Sequence, residues 1–219
     1  MAATRRVQQQ PAYVLHHRPF RDTSQLLDVV SREYGKVTLV ARGSRAAKSK
    51  LRGVLRPFQP LRLSWFLRSD LGTLTGAEID AAPLTLSGDA LLSAYYVNEL
   101  VLNFLHRHDP QPEIFDAYAQ TITALAQSGE LAANLRVFEM ELLRLLGYAL
   151  NLDYDANLHE PIDEQRSYEY RVDQGPVSVT RSEGPMVFSG ARLRGIAAAR
   201  FEDPDVLRDA GRLLRAVIR

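Results

Sequence analysis

A chain of 219 residues, 46% hydrophobic and 24% charged, can bury a core as one large globular domain or two small ones, which excludes a disordered or fibrous class. It contains no cysteine, which excludes disulfides and Cys-based zinc sites and fits a reducing cytosol. The net charge of +1 hides an asymmetry: residues 1–80 hold 14 basic and 6 acidic side chains and the remainder 13 basic and 20 acidic, so one part suits polyanions and the other does not.

Residues 1–11 carry Arg5 and Arg6 without the apolar core of a secretory signal and read as a flexible polar tail. No stretch reaches the roughly 18 consecutive apolar residues of a membrane span. The next 70 residues read as short strands. Residues 12–17 are a compact apolar run after Pro11, and residues 25–34 hold Leu26, Leu27, Val29 and Val30 before a turn at Gly35. Residues 36–42 alternate, with Val37, Leu39 and Ala41 opposite Lys36, Thr38, Val40 and Arg42. Residues 43–56 form a basic loop. Residues 61–67 alternate again, with Leu61, Leu63, Trp65 and Leu67 opposite Arg62, Ser64, Phe66 and Arg68. Residues 71–79 make a fifth strand after a turn at Ser69-Asp70. Five short strands in one basic segment, residues 12–82, suit a small barrel of the OB-fold type.

The hydrophobic period changes after Pro83, so a helical domain is expected over residues 83–219 in an α+β chain. Ser87 or Asp89 can cap a helix over residues 91–106 that is apolar nearly all round and reads as buried. A second helix spans residues 113–127, with Phe115, Tyr118, Ile122 and Leu125 at helical spacing. A third spans residues 131–146, with Leu135, Phe138, Leu142, Leu145 and Leu146 on one stripe and Gly147 just past its end. Residues 168–180 form a small β-hairpin insertion around Asp173-Gln174-Gly175-Pro176. Residues 191–199 are a short helix, and Asp203-Pro204 caps and opens a last one.

The strongest chemical signal is the loop cluster Arg42, Arg45, Lys48, Lys50, Arg52 and Arg56, with no acidic residue among them. Each phosphate neutralised by such a cluster releases counterions, which makes it a candidate nucleic-acid contact; the bland alternative is a solvated loop. Gly43, Ser44 and Ser49 point to flexibility. Arg18, Arg21, Lys36 and Arg62 extend the basic surface, and the arginine bias suits bidentate phosphate contact, although a GC-rich genome produces the same bias. Phe66, opposite the core face with Arg62, is the candidate for stacking on an unpaired base; Trp65 reads as core. Asn98, inside an apolar helix, needs hydrogen-bond partners and reads as a tie to neighbouring segments. His16-His17 point to opposite strand faces and do not suit a shared metal, and the acidic run from Asp153 to Glu164 lacks EF-hand spacing. No GxSxG, HExxH, Walker or Gly-rich dinucleotide motif is present, so no catalytic residue is assigned and a non-enzymatic role is expected.

Several blocks in this order resemble the RecO family of bacterial DNA repair proteins. They are Tyr13-Val14-Leu15-His16-His17-Arg18-Pro19-Phe20 with Asp22-Thr23-Ser24, then Leu39-Val40-Ala41-Arg42-Gly43-Ser44-Arg45, then Leu55-Arg56-Pro57-Phe58-Gln59-Pro60-Leu61. Tyr96-Val97-Asn98-Glu99-Leu100 and the run from Arg136 to Tyr148 resemble the family's helical core. The resemblance implies an N-terminal OB-fold, a C-terminal helical domain and a recombination mediator of the RecF-type pathway in the cytoplasm, associated with the nucleoid. Such a protein binds single- and double-stranded DNA, anneals complementary strands, and docks the acidic, Phe-ending tail of the single-stranded-DNA-binding protein. With RecR it helps load RecA. Arg136 and Arg144, flanking Phe138 and Leu142, are the candidate tail dock; two solvated helix arginines are the alternative. Many members carry a four-cysteine zinc motif near residues 157–190, so the absence of cysteine implies no zinc and no other cofactor here. Members also continue past the last helix into a Gly- and Lys-bearing tail, whereas this sequence stops at Arg219, and any DNA contact made by that tail would be missing. An RNA-binding factor of translation or RNA processing is the alternative function; a nuclease or strand-joining enzyme is a third, disfavoured by the missing motifs.

Overall fold

A computed structural model describes residues 5–67, 70–127 and 129–218, with Arg5 described by its backbone. The expectations for Arg68, Ser69, the first four residues and Arg219 lie outside the described residues. The chain divides into two compact units, Met1–Gly129 and Glu130–Arg219.

The first unit is built on a closed barrel of β1 (Arg5–Phe20), β2 (Ser24–Ser31), β3 (Gly35–Ala41), β4 (Leu61–Leu67) and β5 (Leu71–Ile79), in the order β1-β2-β3-β5-β4. This is the expected OB-fold. Closure is made by a parallel β3–β5 pairing of Thr38, Leu39 and Val40 with Leu71, Gly72 and Thr73, all other pairings being antiparallel. The strict alternation of β3 and β4 puts Val37, Leu39, Leu61, Leu63 and Trp65 inside, where they pack with Leu27 and Val29. Trp65 meets the Tyr34 ring edge-on at 5.3 Å.

β1 starts at Arg5, so residues 5–11 are strand and the expected tail is corrected. Val7 belongs to the buried core, and Arg6, Val7 and Gln10 pair with β4, while residues 12–20 pair with β2. One 16-residue strand thus borders both ends of the sheet. Register breaks at Val7/Gln10 and Val14/His16, with Gln9 at φ 49°, bend it and erase the period-2 pattern that marks a strand.

Two helices, α1 (Gly88–Phe104) and α2 (Pro112–Gln127), belong to the barrel's unit, so the boundary expected at residues 82/83 does not coincide with the compact units. The reason is a set of specific ties. The Asn98 amide donates to the Leu15 carbonyl at 2.7 Å and accepts from the Tyr118 hydroxyl at 2.7 Å. Burial pushes the Tyr118 phenol well above its ordinary pKa, so the hydroxyl stays a donor. Tyr13 on β1 packs at 5.5 Å from Phe115 and 5.0 Å from Tyr118. Arg32 forks onto Asp116 at 3.0 and 2.8 Å. The expectation of an all-buried α1 is corrected: Ala94, Val97, Asn98, Leu100 and Val101 are buried, but Leu92 on the opposite side is 67% exposed.

The second unit holds α3 (Leu131–Leu145), a three-stranded antiparallel sheet of β6 (Ser167–Arg171), β7 (Gly175–Val179) and β8 (Val187–Ser189) in the order β7-β6-β8, and helices α4 (Gly190–Ala197) and α5 (Pro204–Val217). The hairpin falls at the expected place; β8 is an addition to it. Tyr168, Phe188, Leu193, Ile196, Leu213 and Leu214 form the core. Gly147 closes α3 at φ 85°, and the Asp203 carboxylate caps α5 by accepting from the Asp205 and Val206 amides.

The segment before the hairpin is held by one carboxylate. Asp155, 2% exposed, accepts from the amides of Asn157 at 2.8 Å, Leu158 at 3.0 Å and Ser178 at 2.8 Å. Burial raises its pKa, but the Leu158, Asn157 and Ser178 donors outweigh burial and hold it below the ordinary value. A carboxyl depressed in the folded state stabilises fully above the unfolded pKa, near 3.9, and that stability is lost as pH falls through the lower folded value. Asp155→Ala should therefore cost roughly 2–4 kcal/mol at neutral pH, measured by urea unfolding, with the deficit relative to the parent shrinking below about pH 4. A deficit that persists unchanged at acid pH would show that the charge is not what matters.

Candidate nucleic-acid interface

Residues 43–56, between β3 and β4, are a chain of turns rather than a flexible loop. Amide-to-carbonyl bonds run from Ala46 to Gly43 at 3.1 Å, Ser49 to Ala46 at 3.0 Å, Arg52 to Ser49 at 3.2 Å and Val54 to Leu51 at 3.1 Å. The buried Ser44 hydroxyl donates to the Ala41 carbonyl at 2.9 Å. Leu55 is part of the barrel core, and Leu51 and Val54 pack against it. The polar turns and apolar anchors leave Arg42, Arg45, Lys48, Lys50, Arg52 and Arg56 exposed on a fixed platform. Folding therefore sets the backbone positions of these cations, and a ligand need order only their side chains.

The platform meets the β1–β2 turn. The Arg45 amide donates to the Thr23 carbonyl at 2.8 Å, and its guanidinium reaches the Asp22 carbonyl at 3.5 Å. Arg18, Arg21 and Arg45 therefore sit at one end of the barrel, with Arg42 at the adjoining end of β3. Arg21 lies over the Phe20 ring at 5.2 Å, a cation–π contact that orders its guanidinium while leaving donors for an anion.

Two of the candidate contacts are already engaged within the barrel's unit. The Lys36 ammonium donates to the Leu102 carbonyl at 2.5 Å, and burial, then the nearby Arg107, push its pKa below the ordinary value. It ties β3 to α1 and is not a free cation. Arg62 pairs with Asp80 at 2.9 Å. Phe66 is on the surface as expected, 37% exposed, with the Arg6 guanidinium 5.6 Å from its ring centre.

The expected tail dock is also corrected. Phe138 and Leu142 are each 1% exposed, because residues at helical spacing on a helix's apolar stripe go to the interior. Arg136 is drawn to Glu139 at 2.7 Å and is largely covered, and Arg144 forks onto Glu141 at 2.8 and 2.7 Å on the surface. Of the four residues, Arg144 is the one that is exposed. Among the described residues no three His, Asp or Glu side chains converge to hold a metal ion, and the zinc motif's cysteines have no counterpart. His16 instead faces Asp28 at 3.7 Å.

Charge pairing separates the two units. Among the described residues of the second, every arginine except Arg200 and Arg215 has a carboxylate within ion-pair distance, including Arg166–Asp163 at 3.3 Å, Arg194–Asp153 at 2.8 Å and Arg212–Asp209 at 3.0 Å. Among those of the first, ion pairs engage Arg32 and Arg62, and the platform and turn cations have no carboxylate partner. Unpaired cations keep their field and their donors for a polyanion.

The residue that the sequence reading missed is Arg6. The only signal was Val7, one apolar side chain in a polar run, which the bulge at Gln10 separates from the next inward residue.

Two family sequence models match the chain: the one described as Recombination protein O N terminal over residues 5–82, and the one described as Recombination protein O C terminal over residues 86–219. The chain is 43% identical over 212 residues to the DNA repair protein RecO of Nitrosococcus oceani, a match covering 96% of this chain and 86% of that protein. It is 42% identical over 219 residues to the RecO of Dechloromonas aromatica, covering 97% and 89%, and 38% identical over 215 residues to that of Coxiella burnetii, covering 98% and 93%. Among the described residues no helix is long and apolar enough to cross a membrane.

Proposed function

Because the chain belongs to the RecO family of DNA repair proteins, we propose that it is a non-catalytic recombination mediator acting on DNA in the cytoplasm. It binds single- and double-stranded DNA through phosphates and anneals complementary strands. It works with RecR and with the tail of the single-stranded-DNA-binding protein to help load RecA. The observation that carries this reading is the fixed platform of unpaired cations on the barrel, in a chain whose second unit neutralises nearly all of its arginines internally. The mechanism is electrostatic. Two strands repel one another, and a cation array that takes up phosphates from both lowers that repulsion and raises their local concentration until bases pair. No bond is made or broken, so the mechanism calls on no catalytic metal or redox cofactor, and without cysteine the chain has no thiolates for a zinc site.

The test is annealing of two complementary labelled oligonucleotides in EDTA, followed by fluorescence quenching as they pair. The expected result is a protein-dependent acceleration that fades as salt rises and leaves both strands intact. Cleaved or joined strands, or no acceleration, would overturn the reading. Acceleration confined to matched RNA strands would reassign the protein to RNA.

A further inference from the structure

One cross-strand row encircles much of the barrel's outer face. In register, Arg18 on β1 pairs with Leu26 on β2, Leu26 with Val40 on β3, Val40 with Thr73 on β5, Thr73 with Phe66 on β4, and Phe66 with Arg6 at the start of β1. The neighbours on the other parity, Leu27, Leu39, Leu74 and Trp65, are core, so the row faces outward. Its middle, Leu26, Val40 and Thr73, is half-buried, its ends are exposed arginines, and Phe66 is its one exposed ring. The Arg6 guanidinium lies 5.6 Å from the centre of that ring. Five inter-strand steps of about 4.8 Å span roughly 24 Å, a length suited to the roughly 4–16 nucleotides that one such barrel holds.

We infer that this row is a track for unpaired nucleic acid, with a base stacked on Phe66, a phosphate beside that base held by Arg6 and a phosphate at the far end of the row held by Arg18, and that it is what distinguishes a single strand from a duplex. The inference rests on the DNA-binding reading above and adds to it. The platform cations contact phosphates, which both forms present. Phe66 contacts the face of a base, which a duplex keeps inside its own stack. The apolar side chains of Leu26 and Val40 offer a duplex backbone nothing, but can cover the exposed faces of unstacked bases. Phe66 is a surface residue with no core role, so the barrel does not need an aromatic ring there.

The experiment is fluorescence anisotropy with a labelled 20-mer single strand and the blunt duplex of the same sequence, in EDTA at fixed salt. Phe66→Ala and Phe66→Leu should each weaken single-strand binding roughly tenfold or more and change duplex binding less than about twofold, while Phe66→Trp keeps the single-strand affinity. Because Phe66→Leu preserves apolar packing without a π face, its loss reports stacking and not folding. Equal losses on both ligands, or no loss on the single strand, would overturn the track while leaving the DNA-binding reading intact. A parent protein that binds neither ligand would overturn both.

Discussion

Changing Arg42, Arg45, Lys48 and Arg52 together to Glu should lower affinity for single- and double-stranded DNA by at least about 100-fold at low salt and abolish the acceleration of annealing. All four are exposed, and none has a carboxylate partner among the described residues, so each substitution removes a free cation and adds a repelling anion. The fold should hardly notice. The turns are held by backbone bonds and by Leu51, Val54 and Leu55, which the variant keeps, and exposed substitutions away from such features usually cost less than about 0.5 kcal/mol each. Thermal melting beside the binding assay separates the two effects: binding lost with an unchanged melting curve is the expected result. Reversing Arg166, Arg181, Arg194 and Arg208, already paired with Asp163, Glu169, Asp153 and Asp205, is the control matched in charge and should leave binding nearly intact.

The largest stability effect is expected at Gly72. It pairs with Leu39 where the barrel closes, and a Cβ built there would lie 2.6 Å from Leu39 Cδ2, 3.2 Å from the Phe66 carbonyl and 3.4 Å from Trp65 Cδ1. Leu39 and Trp65 are both fully buried, and the parallel β3–β5 pairing spans three residues, so neither side chain nor backbone has room to give. Gly72→Val should therefore destabilise by roughly 3 kcal/mol or more, seen as a large drop in melting temperature by circular dichroism. Gly76 on the same strand is the control, since its Cβ would come no nearer than 3.8 Å to Ser64. If Gly72→Val melts like Gly76→Ala, the closure is not as tight as this geometry requires.

How much of this was legible in the sequence depends on where the period survives. β3 and β4 run without bulges through the residues that alternate, so Val37, Leu39, Ala41, Leu61, Leu63 and Trp65 could be placed inside from spacing alone. β1 could not be bounded that way, because its bulges shift the inward set twice and leave Val7 and Arg6 looking like a tail. The three residues of β8 are too few to carry a pattern. In α1 apolar content was mistaken for burial: Leu92 and Tyr95 are exposed, and apolar surface residues are common. The cation cluster was legible as a list of residues, but its geometry was not. What separates Arg45 from Lys36 is the acceptor each meets, Asp22 in a neighbouring turn against Leu102 on a helix 66 positions away, and spacing cannot show the second. The Phe138–Leu142 stripe was read with the right period. That same period commits those side chains to the core and removes them from any docking surface.

The platform cations carry most of the phosphate contacts to DNA, single- and double-stranded alike. The most direct test is a salt titration of single-strand affinity in EDTA for the parent and the Arg42, Arg45, Lys48, Arg52 variant. The account predicts a straight line of log affinity against log salt for the parent, and a line shallower by roughly 3 for the variant, as loss of four single-strand phosphate contacts requires. Parallel lines, or a parent whose affinity ignores salt, would contradict it and place the DNA contact elsewhere on the chain.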